Sequence, residues 1–178
     1  MDDYFSTLFD DDVTSNIKAY LSGKGAVNDL KIANGYLWAA QAAVRAYQNS
    51  PMLDAVFYPV VFLLRHALEL AIKTTLHQII ERHGLSFNVL FSHDLTRLLE
   101  ELEISLDKIG GEPLLEVDRH TIYFLNQIDP AGDRFRYQHS RRNDADDLCR
   151  DEPFSADLGK LLHAVSSAYM GVISKGAT

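Results

Sequence analysis

Apolar residues along most of this chain recur at steps of three and four, the spacing of one face of an α-helix. Val13, Ile17, Tyr20 and Leu21 form a first such face behind the carboxylates Asp10 to Asp12, and Gly23-Lys24-Gly25 stops it. A second helix is expected from about Asn28 to Gln48, with Leu30, Ala33, Leu37, Ala40, Val44 and Tyr47 as an unbroken stripe. That is the seam of a helix packed lengthwise on another. Ala39, Ala42 and Ala43 widen the small-residue surface, so a second neighbour can come close. Asn49-Ser50-Pro51 breaks the pattern.

The third helix is the most apolar. It starts at Leu53 or Pro59, since proline either opens a helix or kinks one, and it closes at His83-Gly84. Val60, Val61, Leu64, Leu68, Ile72, Leu76 and Ile79 leave it hydrophobic on most sides, as a central helix is. Ser92 is expected to cap a fourth helix with Leu95, Leu98, Leu99, Leu102 and Leu106 inside and Asp94 in its first turn. Pro113 is expected to open a fifth, faced by Leu114, Val117, Thr121, Leu125 and Ile128 and ended by Asp129-Pro130. Residues 130–152 form a charge-dense connection, and Ser155 is expected to cap a last helix bearing Leu158, Leu161, Leu162, Val165, Tyr169 and Val172. With no repeat, low-complexity tract or credible strand, the pattern predicts an all-α protein. It is a single antiparallel bundle of five to six helices, with residues 1–26 as an N-terminal helix and 27–178 as the bundle domain.

Composition narrows the functional classes. The 178 residues are 47% hydrophobic and 24% charged, a globular mixture. A single Cys149 excludes a disulfide framework or a Cys-rich zinc module. The acidic start Met1-Asp2-Asp3-Tyr4 lacks the order of a secretory signal, and the run Val56 to Leu64 is too short to span a bilayer. A cytoplasmic setting with no membrane contact is the expectation. The net charge of −8 excludes a broad basic footprint on nucleic acid. A local one exists: Arg134 to Arg142 holds four arginines and no acid, and Asp144, Asp146, Asp147, Asp151 and Glu152 follow. The two runs can neutralise each other, or the arginines can meet phosphates.

Three groups of residues carry chemistry. Arg65, Glu69 and Lys73 recur every four residues on the most apolar helix, so they stand in one row. Such a row is either an ion-pair network that fixes bundle register or a ligand site at the bundle's mouth. His66, one residue off the row, reads as a packed or surface histidine. In His93-Asp94, Asp94 suits a helix start, and His93 could donate to a neighbouring carboxylate such as Glu69. The third group is Arg134 to His139. A guanidinium can neutralise charge growing on phosphate oxygens, and an imidazole can move a hydroxyl proton near neutral pH. Phe135 and Tyr137 interleave with these arginines and would suit base stacking or an anchor to the core. His77 with His83, and His120 with His139, lack metal-ligand spacing, Cys149 sits among carboxylates that oppose a thiolate, and no metal or cofactor is expected.

Arg65-His66-Ala67-Leu68-Glu69-Leu70-Ala71-Ile72-Lys73, the start His93-Asp94-Leu95, and Phe135-Arg136-Tyr137 together resemble the HEPN superfamily. These are small helical bundles of prokaryotic defence, toxin–antitoxin and RNA-processing systems. The resemblance spans about residue 27 to the end. It implies a homodimer whose paired Arg-to-His motifs cut RNA without metal, with Arg134 positioning phosphate and His139 assisting proton transfer. Arg65, Glu69, Lys73, His93, Arg136 and Tyr137 would then be binding residues. Phe135 departs from the family's usual polar residue after the arginine. Many members are instead non-catalytic partners of nucleotidyltransferases or ligand sensors, so a protein- or ligand-binding module is the alternative. A hydrolase built on His93 and Glu69 is a third reading.

Overall fold

The computed structural model describes residues 29–86, 92–132 and 156–176, and the bundle is built outward from its longest rod. Five helices occupy these residues: α1 Asp29–Tyr47, α2 Leu53–His83, α3 Leu95–Lys108, α4 Glu116–Ile128 and α5 Leu158–Lys175. There is no strand among the described residues, and the all-α bundle expected from the periodicity is the observed architecture. The expected first helix, over Val13 to Leu21, lies outside the described residues.

α2 spans 31 residues, about 46 Å at 1.5 Å per residue. It packs against α1, α3 and α5, while α4 bridges α3 and α5. Pro59 sits inside α2 rather than at its start, with the helix beginning at Leu53. Val60, Val61, Leu64, Ala67, Leu68, Ala71, Ile72, Leu76 and Ile79 are all buried, so apolar side chains leave water on most sides of the rod. Each large one contributes about 1.5–3 kcal/mol on burial. By length and composition alone α2 could cross a membrane, and half of that stretch is buried inside the bundle; the central helix of a bundle meets the same criterion. Gly84 ends α2 at φ +64°, donating its N–H to Ile80 O, a left-handed cap that glycine adopts without a Cβ clash.

Three helix starts differ from expectation. Asp94, not Ser92, caps α3: its carboxylate accepts from the N–H groups of Thr96 and Arg97, and Ser92 Oγ accepts from Asp94 N. Two backbone donors therefore meet a charged acceptor, which outweighs a hydroxyl one step earlier. α4 begins at Glu116 rather than at Pro113, with Leu115 in extended backbone just before it. Asp157, rather than Ser155, caps α5 through Lys160 N, which holds the Asp157 carboxyl below its ordinary range.

The α4 face also shifts. Val117, expected inside, is 61% exposed, whereas Asp118, Ile122 and Leu125 are buried. Asp118 is retained in the interior because Ser167 Oγ of α5 donates to it at 3.0 Å. On α1 the stripe Ala33, Leu37, Ala40 and Val44 is buried, but its ends open and Tyr47 is exposed.

Candidate functional site

The charged row of α2 is where the bundle's elements converge. Spacing of four residues puts Arg65, Glu69 and Lys73 on successive turns, and the geometry closes them into one chain of contacts. Arg65 Nη1 donates to Glu69 Oε2 at 3.0 Å, and Lys73 Nζ donates to Glu69 Oε1 at 2.8 Å. Arg65 and Glu69 are each only 2% exposed, and Lys73 is partly covered.

Two loops complete the network. Arg65 Nη2 donates to His93 O at 2.6 Å, and Arg65 Nε donates to Asp129 O at 2.9 Å, with the Asp129 carboxylate 3.6 Å from Nε. Arg65 thus joins α2 to the start of α3 and to the end of α4. The ring nitrogen Nδ1 of His93 stands 2.9 Å from Glu69 Oε1, the same oxygen that Lys73 holds. Asn126 of α4 accepts from Leu95 N at 2.8 Å and ties the same corner. After α4, Asp129 to Gly132 folds over the guanidinium. Gly132 has φ +72°, and a Cβ there would stand 2.7 Å from Arg65 Nη1. Only a residue without one allows that approach.

The electrostatics follow from this packing. Burial alone raises the pKa of Glu69, but the bond and charge of Lys73, the His93 bond and the Arg65 charge outweigh it. The net effect holds the Glu69 carboxyl below its ordinary value, so it is ionised at neutral pH. An isolated buried carboxylate would be costly; here both oxygens are bonded, which removes most of that cost.

His93 is the opposite kind of group. Its ring is 65% exposed although its backbone carbonyl and Nδ1 are bound by buried partners. The other histidine–carboxylate pairs, His77 with Glu81 and His120 with Glu116, join side chains that are exposed on both sides. His66 packs among rings, edge-on to Tyr36 at 4.6 Å and stacked with Phe62 at 5.7 Å. Among the described residues, no three His, Cys, Asp or Glu side chains gather as metal ligands.

Of the residues singled out by sequence, Arg65, Glu69, Lys73 and His93 come together. Arg134, Arg136, Tyr137 and His139 lie outside the described residues. Asp129, Asn126 and Gly132 are site residues that the pattern did not single out. Asp129-Pro130 announced only a helix end, and Gly132 follows at a spacing that turns use. No family model, curated protein or solved structure matches this chain.

Proposed function

We propose that this chain is an RNA-contacting helical bundle of the HEPN kind that cleaves RNA without a metal ion. In this reading Arg134 neutralises phosphate charge and His139 transfers a proton. Arg136 and Tyr137, with Arg65, Glu69, Lys73 and His93, bind the strand. The supporting observation is the course of the chain at Arg65. The turn that packs on the guanidinium ends at Gly132, and the basic stretch starts two residues later at Arg134. The chain leaves the corner where an ionised Glu69 carries an exposed imidazole two residues before its arginine-rich, acid-free stretch begins in the sequence.

The reaction class follows from the side chains. Guanidinium groups pair with phosphate oxygens in a planar fork, and imidazole exchanges protons near neutral pH. A second copy, as the resemblance implies, would double the motif at one cleft. The test is cleavage of varied RNAs by purified protein beside its Arg134→Ala and His139→Ala variants. Loss in both variants with unchanged thermal stability is expected. Equal activity in all three, or none with any RNA, removes the catalytic assignment. Light scattering at micromolar concentration should exceed the 20.0 kDa of one chain.

One observation favours a second reading, a non-catalytic module for a protein partner. The outer face of α1 carries no charge from Ile32 to Val44, and Ile32, Trp38, Ala39 and Ala42 on it are exposed. A contiguous apolar surface of this kind suits a protein interface. Binding to such a partner that survives Arg134→Ala but is lost in Trp38→Glu would support this reading over the first.

A further inference from the structure

We propose that His93 is a proton-accepting residue of this site, presenting Nε2 to a ligand hydroxyl while Glu69 holds its ring in the Nδ1-protonated form. The inference rests on the RNA-cleaving reading for the identity of the hydroxyl, the 2′-OH of a ribose. The tautomer rests on the contacts around an ionised Glu69 and not on that reading.

Four observations converge on it. Glu69 Oε1 lies 2.9 Å from His93 Nδ1, a hydrogen-bond distance at which one of the two groups must donate. An ionised carboxylate only accepts, so a proton sits on Nδ1, and whenever the ring is neutral its lone pair is at Nε2. Glu69 cannot drift toward solvent, because Arg65 fixes its Oε2 and Lys73 shares its Oε1. The backbone of His93 is equally fixed: Arg65 Nη2 holds its carbonyl, Asp94 caps α3 and Asn126 holds Leu95 N. Yet the ring itself is 65% exposed. A histidine recruited only for packing would be covered, as His66 is by Tyr36 and Phe62. A histidine of no consequence would resemble His77, whose Glu81 partner is itself 67% exposed. Positioning one ring nitrogen with a buried carboxylate and presenting the other to solvent is the arrangement of a proton-transfer group.

The step balances without further reagents. As the 2′-oxygen bonds to phosphorus, its proton passes to His93 Nε2. The bond from phosphorus to the 5′-oxygen breaks, and that oxygen takes a proton from the His139 imidazolium, the proton-transfer role the proposed function gives that residue. The products are a 2′,3′-cyclic phosphate and a 5′-hydroxyl. The imidazolium formed stands against Glu69, which stabilises it in place. The charged groups around His93 are Glu69, on its Nδ1, Arg65, on its carbonyl, Lys73, on the same Glu69 oxygen, and the adjacent Asp94; Asp129 meets the far side of Arg65.

Two measurements on the full chain test the proposal. Nitrogen-15 NMR of the neutral His93 ring should show Nδ1 protonated. An Nε2-protonated ring overturns the assignment whatever the protein does to RNA. In cleavage assays, His93→Ala should lower the rate about 100-fold or more, the scale of a general base. The variant should recover rate on addition of free imidazole. Thermal stability should fall modestly, since Glu69 loses the His93 bond but keeps those of Arg65 and Lys73, so rates are compared below the melting temperature of the variant. Wild-type rates in His93→Ala, or a loss that imidazole does not relieve, overturn this inference. If Arg134→Ala is inactive in that same series, the RNA-cleaving function stands without it. A wild-type protein that cleaves no RNA overturns both.

Discussion

Replacing Gly132 by alanine isolates the contact that closes the site, because a second glycine provides an internal control. Gly132 and Gly84 have φ of +72° and +64°, so alanine pays the same left-handed backbone cost at both, about 1–2 kcal/mol. The restriction that alanine imposes on the unfolded chain is also common to both and cancels in the difference. Their surroundings differ. A Cβ on Gly84 meets nothing within 4 Å, whereas on Gly132 it stands 2.7 Å from Arg65 Nη1 and 3.1 Å from Cζ. The guanidinium cannot slide aside, since Nε, Nη1 and Nη2 are held by Asp129 O, Glu69 and His93 O. Either the turn lifts or one of those bonds breaks. Loss of one bond to a charged group costs about 1.5–3 kcal/mol. Gly132→Ala should therefore destabilise by roughly 2.5–5 kcal/mol, against roughly 1–2 for Gly84→Ala. Urea unfolding followed by circular dichroism measures both, provided the slope with denaturant is unchanged. Two variants agreeing within about 0.5 kcal/mol would refute the claim that Gly132 packs on a clamped arginine.

Three further outcomes follow from the same contacts. Glu69→Gln leaves buried Arg65 with only the Asp129 carboxylate, 3.6 Å from Nε, as counter-ion, and a loss of up to about 3–5 kcal/mol at neutral pH is expected. Because the folded-state pKa of Glu69 lies below 4.5, its ionic contribution is present above that pH and disappears as acid titrates the folded carboxylate. The difference in melting temperature between wild type and Glu69→Gln should accordingly shrink as pH falls below about 4.5; a constant gap down to pH 3 contradicts the assignment. Asp94→Ala removes the acceptor for two N–H groups at the α3 start and should cost about 1 kcal/mol in thermal unfolding, more than Ser92→Ala. Tyr169→Phe deletes the hydroxyl that donates to Asn34 Oδ1 at 2.9 Å between α5 and α1, with an expected loss of about 0.5–1.5 kcal/mol in the same assay.

The helices were legible in the chain because each must hide one face, and hiding a face imposes a period on the sequence. The stripe on α1, the all-round apolarity of α2 and the leucines of α3 need no knowledge of neighbours. The charged row was legible for the same reason, since four-residue spacing fixes Arg65, Glu69 and Lys73 on one side of one helix. Its pairing with His93 was legible only as a possibility of charge, because 24 residues separate His93 from Glu69 and nothing local sets their distance.

Tertiary packing settled the rest. Helix starts went to whichever side chain reached the free N–H groups in three dimensions, so Asp94 and Asp157 took places that spacing assigned to serines. Val117 turned outward and Asp118 inward because α5 brings Ser167 to meet a carboxylate on that side of α4. Asp129 and Gly132 became part of the site only once the turn after α4 closed on Arg65. Periodicity is written into a single helix, whereas a bond between helices depends on where both of them lie, and that is decided by the folded body as a whole.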